Sequence, residues 1–108
     1  MALTADFREG VMARAQRDSR FRRALLTEAV QELVSSDATA GKAVLKDYIN
    51  ATIGFAPLAD EMGANVKSLH RMLGPRSNPT MENLRAILRV LQEHEGIELS
   101  IRSHTAAG

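Results

Sequence analysis

Apolar residues recur along most of this chain at steps of three and four, a spacing that places them on one face of an α-helix. The pattern predicts helices over residues 4–17, 19–34 and 38–51, and a final helix over 81–93. Polar residues that can cap a helix stand at three of the predicted starts: Thr4 or Asp6, then Ser36 or Asp37, then Thr80. The widest apolar face belongs to residues 19–34 and consists of Phe21, Leu25, Leu26, Ala29, Val30, Leu33 and Val34. We therefore expect an all-α fold.

Residues 55–72 predict two short helices that meet at a sharp corner. Their apolar positions are Leu58, Ala59, Met62, Leu69 and Met72. Gly63 lies between the two sets and tolerates the positive φ that ends a helix, while Asn65 offers a side-chain oxygen to cap the next helix. A glycine between two amphipathic helices is also an ordinary helix C-cap, so the corner alone does not define a function.

The end of the chain carries a different pattern. Ile97, Leu99 and Ile101 alternate with polar residues, which is typical of a β-strand. A single strand leaves both of its edges unpaired, so two interpretations remain open. The segment pairs with the same segment of a second copy in a dimer, or it is an extended tail laid over the helices. Residues 103–108 are predicted to be disordered.

Composition excludes several classes of protein. The chain has 108 residues and no cysteine, which fits one compact domain without disulfides or thiolate metal sites. No two of its three histidines have helical metal-binding spacing, so we expect no metal and no cofactor. No run approaches the roughly 20 apolar residues of a membrane-spanning helix, and a cytoplasmic protein is expected. The acids Asp60 and Glu61 point in different directions, and no nucleophile elbow or phosphate-binding loop is present, so an enzyme is not expected.

Positive charge is concentrated locally although the formal net charge is only +1. Residues 62–92 contain a single acid, Glu82, and five basic residues: Lys67, Arg71, Arg76, Arg85 and Arg89. Neutralising phosphates supplies much of the affinity of proteins for DNA, so this balance favours a nucleic-acid contact. Arg85 and Arg89 also fit an ordinary solvated face of the last helix.

The second helix of the corner has an outward face suited to the major groove. With Leu69 and Met72 inward, the outward residues are Val66, Lys67, His70 and Arg71. Lys67 or Arg71 can donate to guanine O6 and N7, and Val66 can contact a thymine methyl group. The flanking residues with donors suited to phosphate are Asn65, Arg76, Ser77 and Asn78.

A second basic cluster lies at the first junction between helices. It consists of Arg14, Arg17, Arg20, Arg22 and Arg23, with Asp18 as the only acid among them. The cluster is interpreted as a solvated surface, with a docking site for an acidic protein or a second DNA contact as the alternatives.

Residues 55–91 resemble the helix-turn-helix proteins of the Cro/phage-repressor (XRE) class. Ala59, Gly63, Leu69 and Met72 occupy the offsets of that motif. The nearer likeness is to bacterial addiction-module antidote proteins, which carry a Gly-x-x-x-Asn-Pro loop after the recognition helix. Here the loop reads Gly-Pro-Arg-Ser-Asn-Pro over residues 74–79, and the ending IELSI is also similar to theirs. The long N-terminal helical segment and the pair Ala64-Asn65 depart from that pattern.

The resemblance implies a lambda-repressor-like fold, binding of double-stranded DNA as a homodimer, autorepression and, for an antidote, a toxin partner. We expect an N-terminal scaffold or oligomer region over 1–52, a helix-turn-helix DNA-binding region over 53–95, and a strand and tail over 96–108. The expected function is a sequence-specific transcriptional repressor, in its narrower form the antitoxin of a toxin–antitoxin operon. The alternative is a protein-interaction module that binds a toxin or another partner and uses the helix-turn-helix only for packing.

Overall fold

The computed structural model describes residues 5–35 and 37–106, and these contain α-helices and no β-strand. The helices are α1 (Ala5–Arg17), α2 (Ser19–Val34), α3 (Ala38–Ala51), α4 (Phe55–Met62), α5 (Val66–Met72) and α6 (Met81–Glu95). The predicted all-α class is confirmed, and the last helix is two residues longer than predicted. No helix in these ranges is both long and apolar enough to cross a membrane.

Local capping fixes where three of the helices begin. Asp18 precedes α2 and accepts hydrogen bonds from the backbone N–H groups of Arg20 and Phe21. Asp37 accepts from the N–H of Ala40 at the start of α3, and Thr80 caps α6 in the same way. The alternative caps Thr4 and Ser36 lie outside the described residues.

Helices α2 and α3 pack against each other at very short distance. A Cβ atom placed on Gly41 of α3 would lie 2.7 Å from the backbone nitrogen of Leu33 in α2. Glycine therefore permits an approach that any side chain would block. The contact buries Leu26, Ala29 and Leu45 completely.

The buried residues form one hydrophobic cluster that extends from α2 to α6. Its members are Leu26, Ala29, Leu45, Tyr48, Ile49, Phe55, Leu58, Ala59, Leu69, Leu73, Ile87, Val90 and Leu91. The corner formed by α4 and α5 thus shares its core with the helices that precede it. Burial of these side chains supplies the main favourable term in folding.

The corner has the local geometry that its sequence predicts. Gly63 lies in the left-handed region at φ 68°, and its N–H closes α4 by donating to the carbonyls of Ala59 and Asp60. Nothing lies within 4 Å of a Cβ placed on Gly63, so the requirement for glycine there is conformational. Asn65 Oδ1 then caps α5 by accepting from the N–H of Lys67 at 2.8 Å.

Residues 97–106 belong to no helix or strand, and the first of them lie against the helices of the same copy. Ile97 and Leu99 pack partly against the core, and the N–H of Leu99 donates to Gln92 Oε1 at 2.7 Å. Ile101 is 84% exposed. The predicted strand is not formed within the described residues, because pairing requires a second extended segment that they do not provide. Residues 103–106 of the predicted disordered tail are exposed and outside any helix, and 107–108 lie outside the described residues.

Candidate nucleic-acid interface

Helix α5 presents one exposed face to solvent. Leu69 is fully buried beneath it, and this fixes the rotation of the helix about its axis. The four residues predicted to contact bases, Val66, Lys67, His70 and Arg71, are all exposed. Their i, i+1, i+4 and i+5 spacing places them on the same side of an α-helix. Val66 is 37% exposed, which makes it the apolar member of this face.

The orientation of His70 is set by an aromatic contact across the corner. Its ring stacks on the ring of Phe55, the first residue of α4, with centroids 4.0 Å apart and planes at 14°. Phe55 is itself buried in the core. The stack occupies one face of the imidazole and leaves the ring nitrogens at its edge for hydrogen bonding. This contact was not predicted from the sequence, although Phe55 is the only aromatic residue in the stretch 55–72.

Two of the predicted phosphate-contacting residues retain free donors. Asn65 uses its side-chain oxygen as the cap of α5, which leaves its NH₂ group available as a donor. Arg76 is exposed and forms no ion pair within residues 5–35 and 37–106. Both lie at the ends of α5, where flanking phosphates approach a helix seated in the major groove.

The other two predicted phosphate-contacting residues are tied to the N-terminal helices. The backbone carbonyl of Ser77 and the side-chain oxygen Oδ1 of Asn78 both accept hydrogen bonds from the ammonium group of Lys42. The donor groups of these residues, the Ser77 hydroxyl and the Asn78 amide NH₂, are not used in that contact. Asn65 therefore lies at the start of α5, and residues 76, 77 and 78 lie in the loop after its end. Lys42 of α3 holds residues 77 and 78 through hydrogen bonds.

Lys42 is the residue of this site that sequence reasoning missed. It projects from α3, is 3% exposed, and also donates to the carbonyl oxygen of Gly74 at 2.9 Å. A signal for it exists, since Lys42 stands between Gly41 and Leu45 on the inward face of α3. A lysine on an apolar face is buried only when its charge finds acceptors, so its position already implied a partner.

The basic stretch from 62 to 92 does not form one surface. Lys67, Arg71 and Arg76 belong to the corner and the loop after it, whereas Arg85 and Arg89 line a cleft of about 930 Å³ elsewhere. We name it the tail cleft; it lies between α2, α6 and the C-terminal segment. No described residue of α5 or of the following loop lines it. Arg89 also pairs with Glu93 one turn along α6 at 3.2 Å, which fits the solvated-face interpretation of that helix.

Three residues of the first basic cluster are engaged within the chain. Arg14 lies 4.4 Å above the ring of Phe21 and pairs with Asp18 at 3.6 Å. Arg23 donates to the backbone and hydroxyl of Ser19. Arg22 points inward, which leaves Arg17 and Arg20 as the members of the cluster whose side chains form neither a hydrogen bond nor an ion pair in the described chain. This arrangement favours a solvated surface over a docking site.

Arg22 belongs to a buried polar network that joins α2, α3 and α6. Arg22 Nε and Tyr48 Oη both donate to Glu95 Oε1, at 2.7 and 2.6 Å. Burial acts to raise the pKa of Glu95, but the hydrogen bonds from Arg22 and Tyr48 outweigh it and lower that pKa. Burial, together with the bond to Glu95, raises the pKa of Tyr48. A second link, from His94 Nε2 to Glu61 Oε2 at 2.6 Å, joins α6 to α4.

No family model matches this chain, and no curated protein or solved structure matches it. The likeness to the Cro/phage-repressor class therefore rests on the residues of the corner and on their geometry. That geometry consists of two short helices, a left-handed glycine between them and an exposed, positively charged second helix.

Proposed function

We propose that the chain is a helix-turn-helix protein that binds double-stranded DNA sequence-specifically, with α5 as the recognition helix, and that it represses transcription. The observation that carries the proposal is the exposed face of α5. It combines an apolar residue, an orientated imidazole and two cations, while Leu69 anchors the helix to the core. This set of side chains suits the donors, acceptors and methyl groups of the major groove.

The dimensions of α5 fit such a role. Seven residues at 1.5 Å each give a helix about 10 Å long, which matches about three base-pair steps of DNA. Lys67 and Arg71 are positioned to donate to base edges, with His70 held between them by Phe55. Asn65 and Arg76 then contact phosphates at the two ends of the helix, and these contacts fix the register on the duplex.

The proposal includes a homodimer. Residues 97–102 belong to no helix or strand, and the N–H groups of residues 100–105 donate to no partner in the described chain. Pairing of this segment with its copy satisfies those groups and covers Ile101. Two recognition helices in such a dimer read half-sites about 34 Å apart on one face of the DNA. In its narrower form, the proposal is a bacterial cytoplasmic antitoxin that represses its own operon, a step supported by the loop sequence of residues 74–79.

One observation favours the alternative of a protein-interaction module. The tail cleft is lined by Val34, Leu99 and Ile101, and Val34 is 70% exposed. Apolar side chains grouped at a cleft are typical of protein contacts. A toxin or another protein bound there leaves α5 free but contacts Ile101, which the proposed dimer also covers, so the two partners compete for this segment.

The decisive experiment measures DNA binding by fluorescence anisotropy with the region upstream of the gene, from about 50 to 200 mM salt. We expect the double variant Lys67→Ala/Arg71→Ala to lose at least about 100-fold in affinity and to show a shallower salt dependence. The matched control, Arg17→Ala/Arg20→Ala, removes the same charge from α1 and α2 and is expected to bind like the wild type. Absence of binding at low salt, or equal binding by the α5 variant, would refute the proposal.

A further inference from the structure

Lys42 connects the N-terminal helices to the loop that follows the proposed recognition helix. Its ammonium group has three N–H donors and meets three oxygen acceptors, the carbonyls of Gly74 and Ser77 and the side chain of Asn78. All three acceptors are neutral. No carboxylate pairs with Lys42 in the part of the chain that is described.

The loop of residues 74–78 has little structure of its own. Its internal backbone bond, from the N–H of Ser77 to the carbonyl of Gly74, is 3.4 Å long. Pro75 offers no N–H at all. A segment with so few bonds adopts many conformations unless something outside it selects one. Lys42 binds both ends of this loop, at residues 74 and 77–78, and so selects the conformation.

That conformation determines what the loop presents to solvent. The peptide group is planar and trans, so the N–H of Asn78 points opposite to the Ser77 carbonyl that faces Lys42. This N–H has no hydrogen-bond partner among the described residues. Arg76, between the two anchored ends, is exposed. The outer side of the loop therefore carries an unpaired N–H, an amide NH₂ and a guanidinium, all of them donors that suit a phosphate oxygen.

We propose that Lys42 is a positioning residue that holds the loop 74–78 so that Arg76 and the N–H of Asn78 contact a DNA phosphate. The inference rests on the proposed DNA-binding function and adds the residue on which that phosphate contact depends. It also assigns a role to α3, because this helix carries the lysine that holds the loop. Lys42 itself does not touch DNA, because its donors are all used inside the protein.

The test is a pair of double-mutant cycles on DNA affinity. Lys42→Met removes the ammonium but keeps a side chain of similar length, and we expect it to weaken binding about tenfold. Once the loop is released, Arg76→Ala adds no more than about twofold further loss. For Lys67→Ala, on α5, the fold losses in DNA affinity of the two single variants should instead multiply in full when it is combined with Lys42→Met. A merely destabilising substitution would affect both cycles equally, so the difference between them identifies positioning.

A hydrogen-exchange measurement and a second variant distinguish positioning of the loop from other effects of the substitution. Amide hydrogen exchange without DNA should show faster exchange in Lys42→Met at Gly74 and Ser77, whose N–H groups donate to carbonyls in and beside the loop, and unchanged exchange in α5. Lys42→Arg keeps a cation that can donate to carbonyls, so it should restore most of the lost affinity. If Lys42→Met does not fold, Lys42→Gln replaces it in both cycles, because its uncharged amide has two donors for the three acceptors.

Equal affinity of Lys42→Met and wild type, full multiplication with Arg76→Ala, or unchanged loop exchange would each overturn the inference. If the wild type binds no DNA, the proposed function and the phosphate contact both fail. Exchange in residues 74–78 then still decides whether Lys42 holds the loop.

Discussion

The N-terminal helices α1 to α3 and the corner of α4 and α5 are built on different principles. Helices α1 to α3 have 13 to 16 residues and are held by contact between helix faces, most closely where Gly41 lies against Leu33. Helices α4 and α5 have 8 and 7 residues, too few to be stable in isolation. The corner shares the buried core but also needs single features: a left-handed glycine, an asparagine cap and side chains that reach it from other helices.

The difference shows where stability and positioning reside. Packed faces tolerate exposed surface changes because their energy is spread over many apolar contacts. The corner has a few polar links: Lys42 binds the loop that carries Arg76, Ser77 and Asn78, and His94 joins α6 to Glu61 of α4. Substitutions in the two regions should therefore have different consequences for unfolding and for binding.

The largest expected effect tests whether the corner is energetically part of the same core. Leu69→Ala should reduce the free energy of unfolding by about 2–5 kcal/mol, as should Leu26→Ala in α2, because both are fully buried in one cluster. Chemical denaturation followed by circular dichroism measures both. Loss of structure confined to α5, with an unchanged midpoint for the rest, would show instead that the corner unfolds independently.

An intermediate effect concerns the network of Arg22, Tyr48 and Glu95. Because the pKa of Glu95 is lowered in the folded state, its contribution to stability is present above about pH 4.5 and is lost as the pH falls through the folded value. The pKa of Tyr48 is raised, so its contribution is present at neutral pH and is lost as the pH rises above about 10.

Glu95→Gln should therefore lower the stability at pH 7 by about 1–3 kcal/mol and flatten the acid limb of the stability curve. The matched control is Glu93→Gln, at an exposed ion pair with Arg89, which should change stability by less than about 1 kcal/mol. Denaturant titrations between pH 3 and 11 provide the measurement. An acid limb in Glu95→Gln identical to that of the wild type would rule out the network as its cause.

The features predicted from the sequence are those whose causes are local. Helix bounds follow from periodicity and capping, and Gly63 and Asn65 take their roles from residues within four positions of them. The exposed face of α5 was predictable because an inward Leu69 sets the rotation of the helix about its axis. These interactions join residues that are close in the sequence, so sequence patterns can predict them.

The remaining features depend on which helices meet. Lys42 and Gly74 are 32 residues apart, and Arg22 and Glu95 are 73 apart, so neither contact has a sequence periodicity that reveals it. The same holds for the separation of Arg85 and Arg89 from the corner. Their spacing in the chain is compatible with one basic stripe that includes the corner. In the structure, Arg85 and Arg89 line the tail cleft, which no described residue of α5 lines. The predicted strand at residues 97–102 likewise needs a pairing partner that the described residues do not supply.

The smallest expected effect on stability separates the two roles assigned to Asn65. Asn65→Ala removes the cap of α5 and should cost about 1 kcal/mol. Asn65→Asp keeps an accepting oxygen and places a negative charge at a helix N-terminus, so its stability should stay within about 0.5 kcal/mol of the wild type. That charge faces the proposed phosphate, so Asn65→Asp should bind DNA at least about tenfold more weakly.

Asn65→Gly completes the series because glycine is tolerated at a helix N-cap and has neither a side-chain donor nor a charge. If Asn65 donates to a phosphate, Asn65→Gly should be as stable as the wild type within about 0.5 kcal/mol and bind DNA about threefold more weakly. Anisotropy and denaturation on the same samples give both quantities. Wild-type affinity in Asn65→Gly would assign Asn65 to the cap alone, and the phosphate contacts of the corner would then come from the loop that Lys42 supports.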